Sequence, residues 1–208
     1  MAKLKAIFDA DILINIVKTN SSSLLQLFDV VYVADYVWNA EIINKDFIHS
    51  KLQKMINKGL LKVLEYNSLT DKQRKFYLDT YNILDTRALP EFVDEGEKIT
   101  AAYAKAHNLS YYMSDDNKAS PHIKSIANID IVNFSDLLYL SYSKNPEILE
   151  HLSDYYNSYI GLFEEKRIPG ILRNPNGAVL SFAEIMGKAR SKFELSENLN
   201  KLVKRLNL

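Results

Sequence analysis

Short apolar segments alternate with helical patterns along most of this chain, and this alternation limits the folds that it can adopt. The predicted strands are residues 4–8, 30–34, 60–66, 109–113 and 129–132. Amphipathic patterns typical of helices lie between them, as in residues 12–17 and 97–107. Strands that alternate with helices predict an α/β fold, in which a mainly parallel sheet is flanked by helices in three layers.

Capping and breaking residues place the other predicted helices. Asp35 is a candidate N-cap for a helix that carries Trp38 and Glu41, and Gly59 is expected to end a helix over residues 47–57. A further helix is expected from Asp115, directly after the fourth strand. The remaining predicted helices are 70–84, 135–141, 146–163 and 181–206, the last broken near Ser196.

Composition excludes several classes of protein. The 26 basic and 26 acidic residues cancel, so net charge gives no argument for nucleic-acid binding. There is no cysteine, which excludes disulfide scaffolds, thiolate metal sites and cysteine nucleophiles and favours a reducing compartment such as the cytoplasm. Asp9 and Asp11 interrupt the apolar run near the start, which argues against a secretory signal. No run of about 20 apolar residues exists, so no membrane span is expected.

The amino-acid composition of the sequence changes after residue 163. Prolines, glycines and asparagines crowd residues 169–177, which predicts a linker or an extended loop. We therefore expect a domain over residues 1–163 and a linker with a helical tail over residues 164–208.

The tail carries nine basic against five acidic side chains. Two interpretations of its last helix stay open: its apolar stripe packs on the body or on a second subunit, or its basic face contacts phosphates. The stripe consists of Leu195, Leu199, Leu202, Val203 and Leu206.

Acidic residues follow two of the predicted strands. Asp9 and Asp11 come after the first, and Asp115 and Asp116 come after the strand over residues 109–113. Parallel strands would bring Asp9 and Asp116 to the same edge of the sheet. Carboxylate clusters suit Mg²⁺ or Mn²⁺, and such ions activate water for attack on a phosphodiester. Each acid alone would more often be a turn former or a helix cap.

Two further acids lie on predicted helices between these strands, namely Glu41 and Glu97. With them, four segments in order resemble the four motifs of the PIN-domain nucleases, in the branch with Gly-Glu at the third motif. The segments are AIFDADILINI, VADYVWNAEI, DEGEKITAAYAKAHN and YYMSDDNKA, and the resemblance covers roughly residues 3–140.

The resemblance implies site residues position by position. It places Asp9, Glu41, Glu97 and Asp116 at the catalytic metal site. Three acids compete for the third position, namely Asp94, Glu95 and Glu97, and Glu97 is preferred because it keeps the helix register. The resemblance also implies two neighbouring metal ligands, Asp11 and Asp115. It implies three substrate contacts, namely Ser114, Trp38 and Lys118. Ser114 would help to hold the metal or its water, and Trp38 is either a core or groove-wall residue or stacks on an RNA base.

The implied function is that of a Mg²⁺- or Mn²⁺-dependent endoribonuclease acting on single-stranded RNA. Small bacterial members of the family are often toxins, so an antitoxin protein and a homodimer are expected partners. The segment 45–90 and the tail depart from the minimal domain.

Two other functions remain as alternatives. The start FDAD also fits a haloacid dehalogenase-type phosphatase, although Ile12 and Leu13 replace the Gly and the Thr or Val usual there. An inactive PIN scaffold that serves as a binding module is the third candidate. The retained acids argue against it, because unpaired buried carboxylates are costly.

Overall fold

The computed structural model describes residues 4–87, 93–116 and 118–206, and these form an α/β fold around a five-stranded sheet. Every strand pair in the sheet is parallel, and the strand order is β3-β2-β1-β4-β5. The strands are β1 Lys5–Phe8, β2 Val30–Ala34, β3 Leu61–Leu64, β4 Tyr111–Met113 and β5 Asp130–Val132. The predicted α/β class is confirmed, and the sheet is compatible with three layers.

Burial of the strands explains why their sequences are nearly continuous apolar segments. The inner strands β1, β2 and β4 are buried along nearly their whole length, as expected for a parallel sheet that is covered on both faces. The edge strand β3 is more exposed, with Lys62 open to solvent. All five predicted strands are present, and β2 has the predicted bounds.

The strand order reverses direction beside β1, and this defines a crevice. The chain runs from β1 to β2 and β3 on one side, and then returns to place β4 on the other side. Phe8 pairs with Met113, and the backbone N–H of Asp9 donates to the Met113 carbonyl at 2.9 Å. The residues that follow β1 and β4 therefore meet at a topological switch point, where α/β sheets bind ligands.

Ten helices surround or follow the sheet in the part of the chain that the structure describes. They are α1 Ala10–Lys18, α2 Asp35–Val37, α3 Asp46–Asn57, α4 Asp71–Arg87, α5 Glu95–Ala106, α6 Ala119–Ala127, α7 Phe134–Lys144, α8 Leu149–Ile160, α9 Phe182–Leu195 and α10 Glu197–Leu206. A π-helical turn, Trp38–Ile42, continues α2. None of the described helices is both long and apolar enough to cross a membrane.

Three predicted helix starts need correction. The N-cap of α2 is Ala34, and Asp35 is the first helical residue, where its carboxylate accepts from the Tyr36 backbone N–H. Helix α6 begins at Ala119 and not at Asp115, because an intervening turn precedes it. Helix α5 begins two residues before Glu97, because the cap lies at position 94.

The chain divides into two compact units. The first contains residues up to Val17 together with 28–132, and it holds the whole sheet. The second contains residues 18–27 together with those from Asn133 onward. The units thus divide at residue 132, while the expected functional domain over 1–163 stays a prediction.

Within the second unit, α10 packs against α7 and α9 through its apolar stripe. Leu199 and Leu202 are almost fully buried, which supports the structural interpretation of this helix. Leu195 is 88% exposed, so its predicted place in the stripe is wrong. It ends α9, and the break at Ser196 starts a new helical register in α10.

Truncation of the stripe tests this packing. Leu202→Ala should lower the free energy of unfolding by about 2–5 kcal/mol, because it removes a buried side chain and leaves a cavity. Leu195→Ala is the matched control and should change it by less than about 0.5 kcal/mol, since this side chain is solvated. Urea unfolding measures both. Equal effects of the two substitutions would contradict the packing of α10.

Candidate functional site

Asp9 occupies the centre of the switch point. It follows β1 directly, is 9% exposed, and its Oδ1 accepts a hydrogen bond from the Ala10 backbone N–H at 2.9 Å. This bond uses the first amide of α1, so the start of the helix fixes the carboxylate. Asp11 lies in the first turn of α1 and is exposed.

A capping box places two more acids at the start of α5. The Asp94 Oδ1 accepts from the Glu97 backbone N–H, and the Glu97 Oε2 accepts from the Asp94 backbone N–H, both at 2.9 Å. Glu97 is 5% exposed and Asp94 is exposed. Each side chain commits one carboxylate oxygen to the cap.

Gly96 brings Glu41 against this helix start. Glu41 lies on the π-helical turn and is half-buried. A Cβ atom on Gly96 would stand 2.9 Å from Glu41 Oε1 and 3.4 Å from Asp94 Oδ1. The glycine lets the Glu41 carboxylate approach the backbone this closely, because a Cβ atom at 2.9 Å would push it aside, whereas 3.4 Å from Asp94 is an ordinary contact distance.

The turn after β4 presents Asp116. Its Oδ1 accepts from the backbone N–H groups of Lys118 and Ala119, at 2.6 and 2.8 Å, so it caps the approach to α6. Its own N–H donates to the Oγ of buried Ser114 at 3.1 Å. Ser114 therefore supports the turn.

Three other predicted site residues occupy different surroundings. Asp115 accepts a hydrogen bond from the Asn15 side chain at 3.3 Å. Trp38 is 8% exposed and its ring lies 5.3 Å from that of His49, which fits the core interpretation of this residue. Lys118 is exposed.

Burial and mutual repulsion raise the pKa values of the clustered acids. Burial raises the pKa of Asp9 to about 7; the Ala10 N–H opposes this, while Asp11, Glu41 and Asp94 add to it. Burial of Glu41, with repulsion from Asp94 and Asp11, raises the pKa of Glu41.

Burial and repulsion also raise the pKa values of Glu97 and of Tyr112 on β4. Burial raises the pKa of Glu97 to about 8, against the Asp94 N–H, with further repulsion from Asp94, Asp9 and Asp116. Tyr112, fully buried on β4, has its pKa raised well above the usual value by burial and then by Asp9, Glu97 and Asp94. Its hydroxyl thus stays protonated beside the acids.

We define the acidic cluster as five of the coupled residues, namely Asp9, Glu41, Asp94, Glu97 and Asp116; exposed Asp11 also repels Asp9 and Glu41 and lies at its rim. Four of the five were expected. Asp94 was considered for the third position and set aside for Glu97, yet the structure brings both together. The D-x-x-E spacing of a capping box is the sequence signal that links them.

Basic side chains do little to neutralise the cluster in the part of the chain that the structure describes. Among the described residues, no Lys, Arg or His forms a salt bridge with any of its five carboxylates. Lys45 lowers the pKa of Glu41, but its ammonium donates to the Glu41 backbone carbonyl. An all-oxygen, negatively charged donor set fits Mg²⁺ or Mn²⁺ by its chemistry. Within the described part of the chain, no three ligand-type side chains are arranged to hold an ion as they stand.

Comparison of the chain with protein-family models, with curated proteins and with solved structures gave no match. The resemblance to the PIN-domain nucleases therefore stays a prediction.

The raised pKa values predict how stability depends on pH without metal. Acids of pKa about 4 in the unfolded chain bind protons more tightly in the fold, so folding is favoured while they are protonated. Their contribution is present below pH 4 and is lost as pH rises through about 7 for Asp9 and about 8 for Glu97. Relative to the wild type, Asp9→Asn and Glu97→Gln should gain stability between pH 5 and pH 8, by roughly 1 kcal/mol per pH unit at most.

Urea unfolding in chelator at several pH values measures this gain. Glu95→Gln is the control in the same helical turn, since Glu95 lies beside Lys98 and Tyr81 and outside the cluster. Parallel stability curves for the wild type and both cluster variants would refute the assigned electrostatics.

Proposed function

We propose that the acidic cluster binds Mg²⁺ or Mn²⁺ and that the protein is a metal-dependent endoribonuclease of the PIN type, with a three-layer fold. The observation that carries the proposal is the burial of two carboxylates, Asp9 and Glu97, at the switch point of the sheet, with no salt bridge to a base among the described residues. Burying such groups in ionised form is costly unless a cation offsets the charge. Their raised pKa values leave them partly protonated at neutral pH without metal, and a bound divalent cation would displace those protons.

The helix starts supply the positioning in this proposal. Asp9, Asp94, Glu97 and Asp116 each give one carboxylate oxygen to a backbone N–H, which fixes the direction of the other oxygen. With Glu41, these second oxygens are the proposed ligands. A bound Mg²⁺ or Mn²⁺ supplies a water of lowered pKa and charge stabilisation at the scissile phosphate.

The remaining parts of the proposal follow from the resemblance. Single-stranded RNA is the proposed substrate, and an antitoxin protein, a homodimer and a cytoplasmic location remain predictions. Two groups of residues have secondary roles in the proposal. The substrate contacts are Ser114, which supports a turn, Trp38, which packs in the core, and exposed Lys118. The metal contacts are Asp11 and Asp115, which lie at the rim.

A cleavage assay with Mn²⁺ tests the proposed function. Asp9→Asn and Asp94→Asn should each reduce the rate of RNA cleavage by about a hundredfold or more, because they remove ligand charge that the metal requires. Asn is as good an N-cap as Asp, so Asp94→Asn keeps the helix start intact. Asp46→Asn, at an exposed position at the start of α3, is the control and should cleave like the wild type.

Three outcomes would contradict the proposal. Full cleavage by both cluster variants would exclude the metal-site assignment. If the wild type hydrolyses para-nitrophenyl phosphate but does not cleave RNA, the phosphatase function is favoured. If the wild type acts on neither substrate, a binding module is favoured.

Gly96→Ala tests the close approach of Glu41. Alanine favours a helix over glycine by about 1 kcal/mol, and a flexible carboxylate yields easily, so folding should be preserved. The displaced Glu41 carboxylate should lower the cleavage rate about tenfold or more, since small misplacements of catalytic groups are costly.

Gly187→Ala provides the matched control for this substitution. Gly187 is a helical glycine in α9 with nothing within 4 Å of its Cβ position. This variant should be slightly stabilised and fully active. Equal activity of the two alanine variants would contradict a role for the Glu41 approach.

A further inference from the structure

A pocket of about 520 Å³ opens beside the acidic cluster in the same compact unit, and its walls are largely tyrosine. It is lined by residues from α2 and the π-helical turn, from the segment after β3, and from α4 and α5, chiefly Asp35, Tyr36, Asn39, Tyr66, Tyr77 and Tyr103. Its volume lies in the range of ligand-binding pockets.

Three of the tyrosines form a rigid wall. The ring of Tyr77 packs edge-on against Tyr66, with centroids 5.3 Å apart, and against Tyr103, with centroids 4.9 Å apart. Tyr77 and Tyr103 are buried, whereas Tyr36 is 41% exposed at the opening. The pocket therefore offers an ordered aromatic surface and one solvated ring that can close on a flat ligand.

Polar groups accompany these rings. The Tyr103 hydroxyl is buried beside the Asp35 carboxylate, and Asn39 presents an exposed amide. The Asp35 carboxylate accepts from the Tyr36 and Tyr66 backbone N–H groups, which holds it in place. Asn39 and Asp35 therefore offer a donor and an acceptor at the pocket.

The elements that line the pocket also carry the cluster. Ala40, a lining residue, immediately precedes Glu41, and Ile99, another, lies one turn after Gly96 on α5, where the Glu41 carboxylate packs. No lysine or arginine is among the described residues that line the pocket, so a phosphate would gain no cationic partner there. An aromatic, hydrogen-bonding and uncharged ligand fits better.

We propose that this tyrosine pocket binds an unpaired base of single-stranded RNA next to the cleavage site. The inference rests on the proposed function for its substrate class. Bases stack on tyrosine rings, and their edges hydrogen-bond to amide, hydroxyl and carboxylate groups. Asn39 and Asp35 then read the edge of the base, and the sugar-phosphate chain extends toward the acids.

The test uses the full-length protein in chelator, so that binding is measured without cleavage. Fluorescence anisotropy compares labelled oligomers of adenosine, cytidine or uridine with an abasic ribose-phosphate oligomer of the same length. The wild type should bind at least one RNA more tightly than the abasic oligomer.

Tyr36→Ala should weaken that binding about fivefold to 150-fold, as expected for the loss of one stacked base. Phe47→Ala removes a solvated aromatic ring, 61% exposed, that does not line the pocket, and it should bind like the wild type.

Asn39→Ala adds a readout of base recognition. It removes an exposed amide at the pocket, so folding should be unaffected, while the preference among the three RNAs should shrink. Equal affinity of the wild type for RNA and abasic oligomer, or unaltered binding by Tyr36→Ala, would overturn the proposal. Base-dependent binding without any Mn²⁺-dependent cleavage would leave the pocket standing and exclude the nuclease. Cleavage that Tyr36→Ala leaves unchanged in KM and kcat would exclude the pocket and leave the nuclease standing.

Discussion

The burial of the Asp9 and Glu97 carboxylates among other acids is the constraint on which the account of this protein depends. The Asp9 N–H to Met113 carbonyl bond joins the two strand ends, so the acids that follow them cannot separate without loss of the sheet register. Glu97 adds a second buried carboxylate from α5. A fold that holds unneutralised charges together in this way loses stability unless protons or cations compensate them.

Helix capping and the proposed metal binding use the same side chains in different ways. A capping carboxylate gives one oxygen to backbone amides at the positive end of a helix, and its second oxygen points away from the helix. Asp94 and Glu97 cap α5 reciprocally, and Asp116 caps the approach to α6. The interpretation of these acids as caps and their interpretation as ligands are therefore compatible, since the caps orient the atoms that a cation would need.

The sequence predicted the strands and most helices well, because buried parallel strands are nearly continuous apolar runs. It also placed Asp9 and Asp116 at one edge of the sheet, since residues that follow neighbouring parallel strands share an edge, while the family resemblance added Glu41 and Glu97. It could not separate Asp94 from Glu97, because both belong to one cap. Leu195 was misplaced because the break at Ser196 resets the helical register. The tyrosine pocket was not predicted, since its rings come from segments far apart in the chain and only folding brings them together.

Direct measurement of Mn²⁺ binding tests the central claim. Electron paramagnetic resonance of a Mn²⁺ titration at neutral pH counts the bound ions for the wild type, Asp94→Asn and the exposed control Asp46→Asn. The account predicts at least one site in the wild type and in Asp46→Asn, and binding at least about tenfold weaker in Asp94→Asn, which keeps its helix cap but lacks the charge. Identical Mn²⁺ binding by all three proteins, or none by the wild type, would contradict the claim that the acidic cluster is a cation site.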